Sequence, residues 1–145
     1  MNNKSISILP VFVIVLGIFL NIPEFLMGDA ATTKNVVTTF MYTTTWTFVL
    51  TYVIKNKNYI AIKCYILFWI ITLVFSMLMA YVNVVVIPPI VDWAIPFVIV
   101  FLTPWYGIQF LIENNLAFSI VIASISLVIC KILLVALKQA KQHAK

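Results

Sequence analysis

The sequence predicts an all-α integral membrane protein, and three observations support that prediction. Hydrophobic residues occupy 64% of the 145 positions and charged residues only 9%, whereas an average soluble domain has about 25% charged residues. The apolar residues fall into five long segments. Short links join these segments. We therefore expect one multi-pass membrane domain over residues 1–145, without a separate soluble domain.

Each apolar segment contains roughly 19 to 22 residues, enough for a helix to cross a hydrocarbon layer of about 30 Å. The segments are residues 6–27, 36–54, 64–82, 94–112 and 116–137. The short links predict that helices consecutive in the chain are antiparallel neighbours. Residues 1–30 share some features with a signal peptide, but Pro23 and Glu24 interrupt the apolar run, so we expect a retained helix.

Lysine placement bears on the number of crossings, because lysines beside membrane helices are enriched on the cytoplasmic side. If all five segments cross, the lysines of the second link and of the C-terminal tail lie on opposite sides. If the fourth segment enters and leaves at one face, both groups are cytoplasmic and only Lys34 remains outside. The pattern therefore favours a bundle of four transmembrane helices plus a re-entrant or proline-broken fourth segment. Five transmembrane helices are the alternative.

The fourth segment is the least regular of the five. Pro96, Pro104 and Gly107 each weaken a continuous helix there. Irregular backbone at membrane depth is tolerated only where protein or water covers it. In the favoured topology the N-terminus and the C-terminal tail are both on the cytoplasmic side of the plasma membrane.

Polar and aromatic residues concentrate at the predicted outer ends of the helices and form the first candidate site. Carboxylates beside tryptophan and tyrosine can hold a cation or a lysine-rich peptide. A solvated loop edge with an interfacial aromatic belt would give the same pattern without a ligand. Glu24 stands out because a carboxylate at the end of a long apolar run is costly and often functional. The predicted rim residues are Glu24, Asp29, Asp92, Trp93, Tyr106 and Glu113.

Threonines recur at intervals of four in the second segment, which keeps them near one helix face. Such a stripe can form a polar track for a permeant or a lipid headgroup. We instead predict a structural role, in which each hydroxyl bonds the carbonyl one turn back and the stripe packs against another helix. The stripe consists of Thr39, Thr43, Thr47 and Thr51.

Small residues recur along the fifth segment at spacings of four, three and four. Such a seam allows close helix packing, either within the bundle or against another chain. A homo-oligomer therefore stays open as a possibility. The seam consists of Ser119, Ala123, Ser126 and Cys130.

Catalytic signatures are missing from the sequence. The single histidine, His143, lies in the C-terminal tail, which excludes a Ser–His pair within the membrane, an HExxH motif and bis-histidine haem ligation. We expect no enzymatic activity, no cofactor and no metal site. The net charge of +5 comes from lysines that flank apolar segments, so it does not indicate nucleic-acid binding.

The remaining function classes are binding and transport. We expect a small membrane protein that sits in the lipid bilayer and binds another membrane protein or an extracellular peptide. It would act as an accessory, regulatory or immunity-type subunit. The alternative is a small oligomeric transporter, flippase or channel that uses the threonine stripe and the broken fourth segment. The many Ile, Asn and Lys residues and the absence of Arg are typical of an AT-rich bacterial genome.

Overall fold

A computed structural model describes residues 3–85 and 93–143, and the regular elements within these ranges are helical. A 3₁₀ helix, Thr103–Phe110, directly follows the fourth α-helix. The predicted all-helical class is therefore confirmed, and the predicted segments lie within or beside the observed helices. The α-helices are α1, Asn3–Met27; α2, Thr33–Lys55; α3, Tyr59–Val82; α4, Ile95–Leu102; and α5, Asn115–His143.

Within the described ranges, three helices are long and apolar enough to cross a membrane. They are residues 8–27 of α1, 59–82 of α3 and 115–141 of α5. Helix α2 has a similar length, 23 residues, but its threonines make it less apolar. Residues 95–110 form a shorter apolar stretch. These lengths and compositions support a helical membrane protein.

The prediction that consecutive helices pack side by side is confirmed for α1 with α2 and for α3 with α4, but it is wrong for α2 with α3. The closest partner of α3 is α5. Helices α2 and α3 are held apart because large aromatic side chains lie between them. The ring of Trp46 stacks on Phe68 at a centroid distance of 4.9 Å and meets Trp69 edge-on at 5.2 Å.

The chain reverses direction between α4 and the 3₁₀ helix. Helix α4 begins beside the C-terminal half of α3, where Phe97 stacks on Phe75 at 5.1 Å. The 3₁₀ helix ends at the same end of the bundle, because Gln109 and Asn115 line one cavity together with Ile95. Helix α5 therefore starts where α3 ends and runs antiparallel to it.

The bundle has two distinct ends. The rim end contains the α1–α2 link, residues 28–32, and the start of α5 at Asn115. The tail end contains the α2–α3 link, residues 56–58, and the last turns of α5. Tyr59 at the start of α3 lies within electrostatic reach of Lys141, which places both at the tail end.

Candidate functional site

Two buried asparagines connect α1, α2 and the 3₁₀ helix. Nδ2 of Asn35 donates to Oδ1 of Asn21 at 3.0 Å, and Nδ2 of Asn21 donates to the carbonyl oxygen of Thr103 at 3.0 Å. Both side chains are fully buried. An irregular segment at membrane depth needs such partners for its backbone, because lipid supplies none.

Thr39 makes the second connection between α2 and the 3₁₀ helix. Its Oγ1 donates to the carbonyl oxygen of Pro104 at 2.9 Å and accepts from the backbone N–H of Gly107 at 2.9 Å. A Cβ atom at Gly107 would lie 2.3 Å from the carbonyl oxygen of Asn35. Only glycine therefore permits this close approach of the two backbones.

Glu24 already has a cationic partner within its own chain. Its Oε1 forms an ion pair with Nζ of Lys34 at 2.6 Å, and its Oε2 accepts a longer hydrogen bond from Nδ2 of Asn35 at 3.4 Å. The Glu24 side chain is 18% exposed. The ion pair offsets the carboxylate charge that the sequence singled out for partner binding.

The other predicted rim residues differ in exposure. Tyr106 is buried, and its hydroxyl donates to the carbonyl oxygen of Asp29 at 2.5 Å. Asp29, Trp93 and Glu113 are exposed. Asp92 lies outside the described residues. The structure thus joins the α1–α2 link to the 3₁₀ helix through Tyr106 and leaves two carboxylates open at the rim end.

A cavity of about 390 Å³ opens at the rim end, hereafter the rim cavity. It is walled by α1, α3, α4, the 3₁₀ helix and α5. Its lining is mostly apolar and includes Leu78, Val82 and Val98. The polar contribution includes Gln109, whose Nε2 donates to Oδ1 of Asn115.

The threonine stripe divides into two parts. Thr39 is buried and bonds the 3₁₀ helix, as described above. The hydroxyls of Thr43 and Thr47 donate to carbonyls one turn back in their own helix, at 3.0 and 2.9 Å. This is the bonding predicted from the sequence. Thr51 is exposed.

A second cavity, of about 310 Å³, separates α2 from α5 and is hereafter the tryptophan cavity. Threonines of the stripe line its α2 side, isoleucines line its α5 side, and three tryptophans contribute from α2, α3 and the 3₁₀ helix. These lining residues include Thr43, Thr47, Thr51, Ile125, Ile129, Ile132, Trp46, Trp69 and Trp105.

The predicted small-residue seam faces the interior of the bundle. Ser119, Ser126 and Cys130 are buried within the single chain, and Ala123 is half-buried. Helix α5 packs most closely on α3 and also contacts the 3₁₀ helix, so the buried seam lies within the bundle of a single chain. It leaves no exposed small-residue face of its own for a second chain.

Sequence reasoning missed Asn35 and the cluster of unpaired aromatic polar groups. A signal was present in α2, where Asn35, Thr39, Tyr42 and Trp46 recur at spacings of four, three and four and share one face. All four are buried. Among the described residues, no three His, Cys, Asp or Glu side chains lie close enough together to hold a metal ion.

Comparison of the chain with models of protein families, with curated proteins and with solved structures gave no match. The class of the protein therefore follows from its own fold: a helical bundle with three helices, within the described part of the chain, that are suited to cross a membrane.

Proposed function

We propose that the protein is a non-enzymatic, multi-pass plasma-membrane protein that binds a partner at the rim cavity. In this role it is an accessory, regulatory or immunity-type subunit. The observation that supports the proposal most is the rim cavity itself. Its volume of about 390 Å³ falls within the range of about 300–1,000 Å³ typical of ligand sites. Its mostly apolar wall with a few polar groups is also typical of such sites.

The proposed topology has four crossings, by α1, α2, α3 and α5. Helix α4 and the 3₁₀ helix form a re-entrant segment that opens to the outside. Two observations favour this arrangement: residues from both ends of the segment line the rim cavity, and lysines cluster at the tail end. By the lysine rule the tail end is cytoplasmic, and so are the N-terminus and the C-terminal tail.

The partner's chemistry follows from the charges around the rim cavity. Asp29 and Glu113 are exposed there, while the charge of Glu24 is offset by Lys34. A suitable partner is an amphipathic, cationic segment of an extracellular peptide or of another membrane protein. Its apolar side chain would enter the cavity, and its lysines or arginines would face the two free carboxylates.

Site-specific photocrosslinking in cells tests this proposal. The photoreactive residue p-benzoylphenylalanine replaces Val98 in the rim cavity, and in the matched control it replaces Val128, an exposed residue of α5. We expect a discrete protein adduct from position 98 that is absent at position 128. Asp29→Asn and Glu113→Gln should reduce its yield, because they remove charge without changing size. Equal adducts at both positions, or none at position 98, would contradict partner binding at this site.

Transport is the second candidate function, and the tryptophan cavity beside the threonine stripe favours it. Cavities bounded by broken helices mark substrate sites in many transporters. Solute flux into liposomes that contain only this protein would support transport. Flux that requires a co-purified partner would instead support the accessory role.

A further inference from the structure

The tryptophan cavity opens at the side of the bundle. Helices α2 and α5 hardly contact each other, and the cavity lies between them. Thr47, Thr51 and Ile132 line it and are themselves exposed, so the cavity is continuous with the outer surface of the bundle. Where α2 and α5 cross a membrane, that surface faces lipid. The cavity is therefore accessible from the hydrocarbon layer.

The length of the cavity matches the depth of one lipid leaflet. On α2 its lining runs from Thr43 to Ile54, which is about 16 Å at 1.5 Å per residue. Helix α2 ends at Lys55, so the cavity begins beside the tail end. A hydrocarbon layer of about 30 Å gives roughly 15 Å to each leaflet. A single acyl chain of the leaflet at the tail end is therefore about as long as the cavity.

The walls of the cavity suit an apolar chain. Isoleucine, leucine and aromatic side chains make up most of the lining, and none of the described lining residues is charged. The hydroxyls of Thr43 and Thr47 already donate to carbonyls of α2, so they need no partner in the cavity. A hydrocarbon chain adds dispersion contacts with these walls and deprives none of these polar groups of a hydrogen bond.

The tail end, where the cavity begins, is strongly basic. The carboxylates of the described residues lie at the rim end instead. Clusters of about four to eight basic residues beside membrane helices are typical of sites for anionic lipid headgroups. Lys55 directly follows the cavity residue Ile54, and Lys57 lies in the α2–α3 link. The described lysines of this end, all exposed, are Lys55, Lys57, Lys63, Lys138 and Lys141.

We propose that the tryptophan cavity and the lysines beside it form a binding site for an anionic phospholipid. One acyl chain lies in the cavity, against the isoleucines of α5 and the rings of the tryptophans. The phosphate-bearing headgroup lies at the tail end, beside Lys55 and Lys57. The cavity thus provides the contact with the chain, and the lysines provide the preference for negative charge. This site is separate from the rim cavity and does not depend on the proposed partner binding.

Tryptophan fluorescence tests the proposal, because bromine atoms on a lipid chain quench an indole ring that they approach. Trp93→Phe leaves only the three tryptophans that line the cavity. This variant is reconstituted in phosphatidylcholine vesicles that contain a minor fraction of a lipid brominated midway along its acyl chains. The brominated lipid is either phosphatidylglycerol, which is anionic, or phosphatidylcholine with identical chains.

We expect brominated phosphatidylglycerol to quench as a ligand about fivefold tighter than brominated phosphatidylcholine, the effect of roughly one lysine near an anionic headgroup. Raising the salt concentration should reduce this difference, because salt screens the attraction between charges. Each sample is compared with the same protein in unbrominated lipid, so differences in intrinsic fluorescence do not enter the result.

Two variants test whether the chain lies in the cavity. Leu50→Phe narrows it from α2 and Ile129→Phe from α5, since both residues line it. Each should reduce the quenching by both brominated lipids. Leu127→Phe is the matched control, because Leu127 is an exposed residue of α5 outside the cavity. It should leave the quenching unchanged.

A further variant tests the headgroup contact. The combined change of Lys55→Gln and Lys57→Gln should abolish the preference for phosphatidylglycerol while quenching by brominated phosphatidylcholine persists. Lys34→Gln is the control, because Lys34 lies at the opposite end of α2 and pairs with Glu24. The preference should survive in that control.

Each other outcome overturns the proposal. Equal quenching by the two brominated lipids would mean that the headgroup is not recognised. Quenching that is unchanged in both Leu50→Phe and Ile129→Phe would mean that the lipid chains act from the outer surface. A preference for phosphatidylglycerol that survives the loss of Lys55 and Lys57 would mean that the anionic lipid is held elsewhere.

Discussion

Asn35 and Asn21 form a side-chain hydrogen bond of 3.0 Å, from Nδ2 of the first to Oδ1 of the second, and both are fully buried. The bond belongs to a longer chain of contacts. Oδ1 of Asn35 accepts from the backbone N–H and the hydroxyl of Thr32 at 2.7 Å, and Asn21 donates to the carbonyl of Thr103. The start of α2 is thereby connected through α1 to the 3₁₀ helix that borders the rim cavity.

The first prediction concerns this network. Asn21→Leu removes the acceptor of the Asn35 side-chain amide and the donor to the Thr103 carbonyl. The Asn35 amide N–H and the Thr103 carbonyl oxygen then remain buried without these partners. We expect a loss of about 1–2 kcal/mol in the free energy of unfolding, measured by SDS titration in mixed micelles. Asn83→Ala is the control, because Asn83 is exposed and bonds only the carbonyl of Met79 among the described groups. An equal effect of both variants would refute the importance of the buried amides.

The second prediction concerns the closest backbone approach in the bundle. Gly107→Ala places a methyl group against the Asn35 carbonyl, and a backbone atom cannot move aside as a flexible side chain can. We expect destabilisation of about 3 kcal/mol, at the upper end of typical overpacking costs. Gly28→Ala is the comparison: no atom lies within 4 Å, but its φ of 69° disfavours alanine, at a cost of about 1 kcal/mol. A larger loss of stability for Gly28→Ala than for Gly107→Ala would show that the contact between Gly107 and the Asn35 carbonyl is unimportant.

The third prediction separates the threonines of the stripe. Thr39→Val loses one hydrogen bond to Pro104 and one from Gly107, whereas Thr47→Val loses only a bond within its own helix. We expect thermal or SDS unfolding to show a loss of about 1–2 kcal/mol for the first and less than about 0.6 kcal/mol for the second. If Thr47→Val instead abolished function at normal expression, transport would become the better account.

The fourth prediction concerns the carboxylates of the rim end. Glu113→Gln should lower the yield of the photocrosslinked adduct at position 98 more than Glu24→Gln does, because Lys34 already pairs with Glu24. Raising the salt concentration should lower the yield in the unaltered protein, because salt screens exposed charges. If neither Glu113→Gln nor salt changed the yield of the adduct, the rim carboxylates would be a solvated edge that takes no part in binding.

The sequence predicted the helical class because five apolar runs and short links leave few other solutions. It also predicted a break in the fourth segment, because Pro104 and Gly107 both weaken a helix. In the structure α4 ends at Leu102 and the 3₁₀ helix begins at Thr103. The closest partner of α3 was not predictable from link lengths, which constrain only neighbours in the chain. Nor do link lengths reveal that Trp46 and Trp69 meet edge-on between α2 and α3.

The contacts that position the candidate sites were beyond sequence reasoning. The bond from Asn21 to Thr103 joins positions 82 apart, and the bond from Thr39 to Pro104 joins positions 65 apart. A stripe of threonines alone does not reveal which hydroxyl forms hydrogen bonds outside its own helix. Likewise Glu24 was noticeable as an acid in an apolar run, but its pairing with Lys34 became visible only when the α1–α2 link was folded.

Cysteine labelling at residues 83 and 113 tests the central claim most directly, namely that the fourth segment folds back and places both of its ends outside. Residue 83 directly follows α3, before the fourth segment, and residue 113 follows that segment; both are exposed. The background carries Cys64→Ser and Cys130→Ser, and intact cells receive a membrane-impermeant maleimide. We expect Asn83→Cys and Glu113→Cys both to react in intact cells, while Gln139→Cys in the tail reacts only after permeabilisation. Five crossings place residues 83 and 113 on opposite sides in either orientation, so reaction of only one of these two in intact cells would contradict the re-entrant fourth segment.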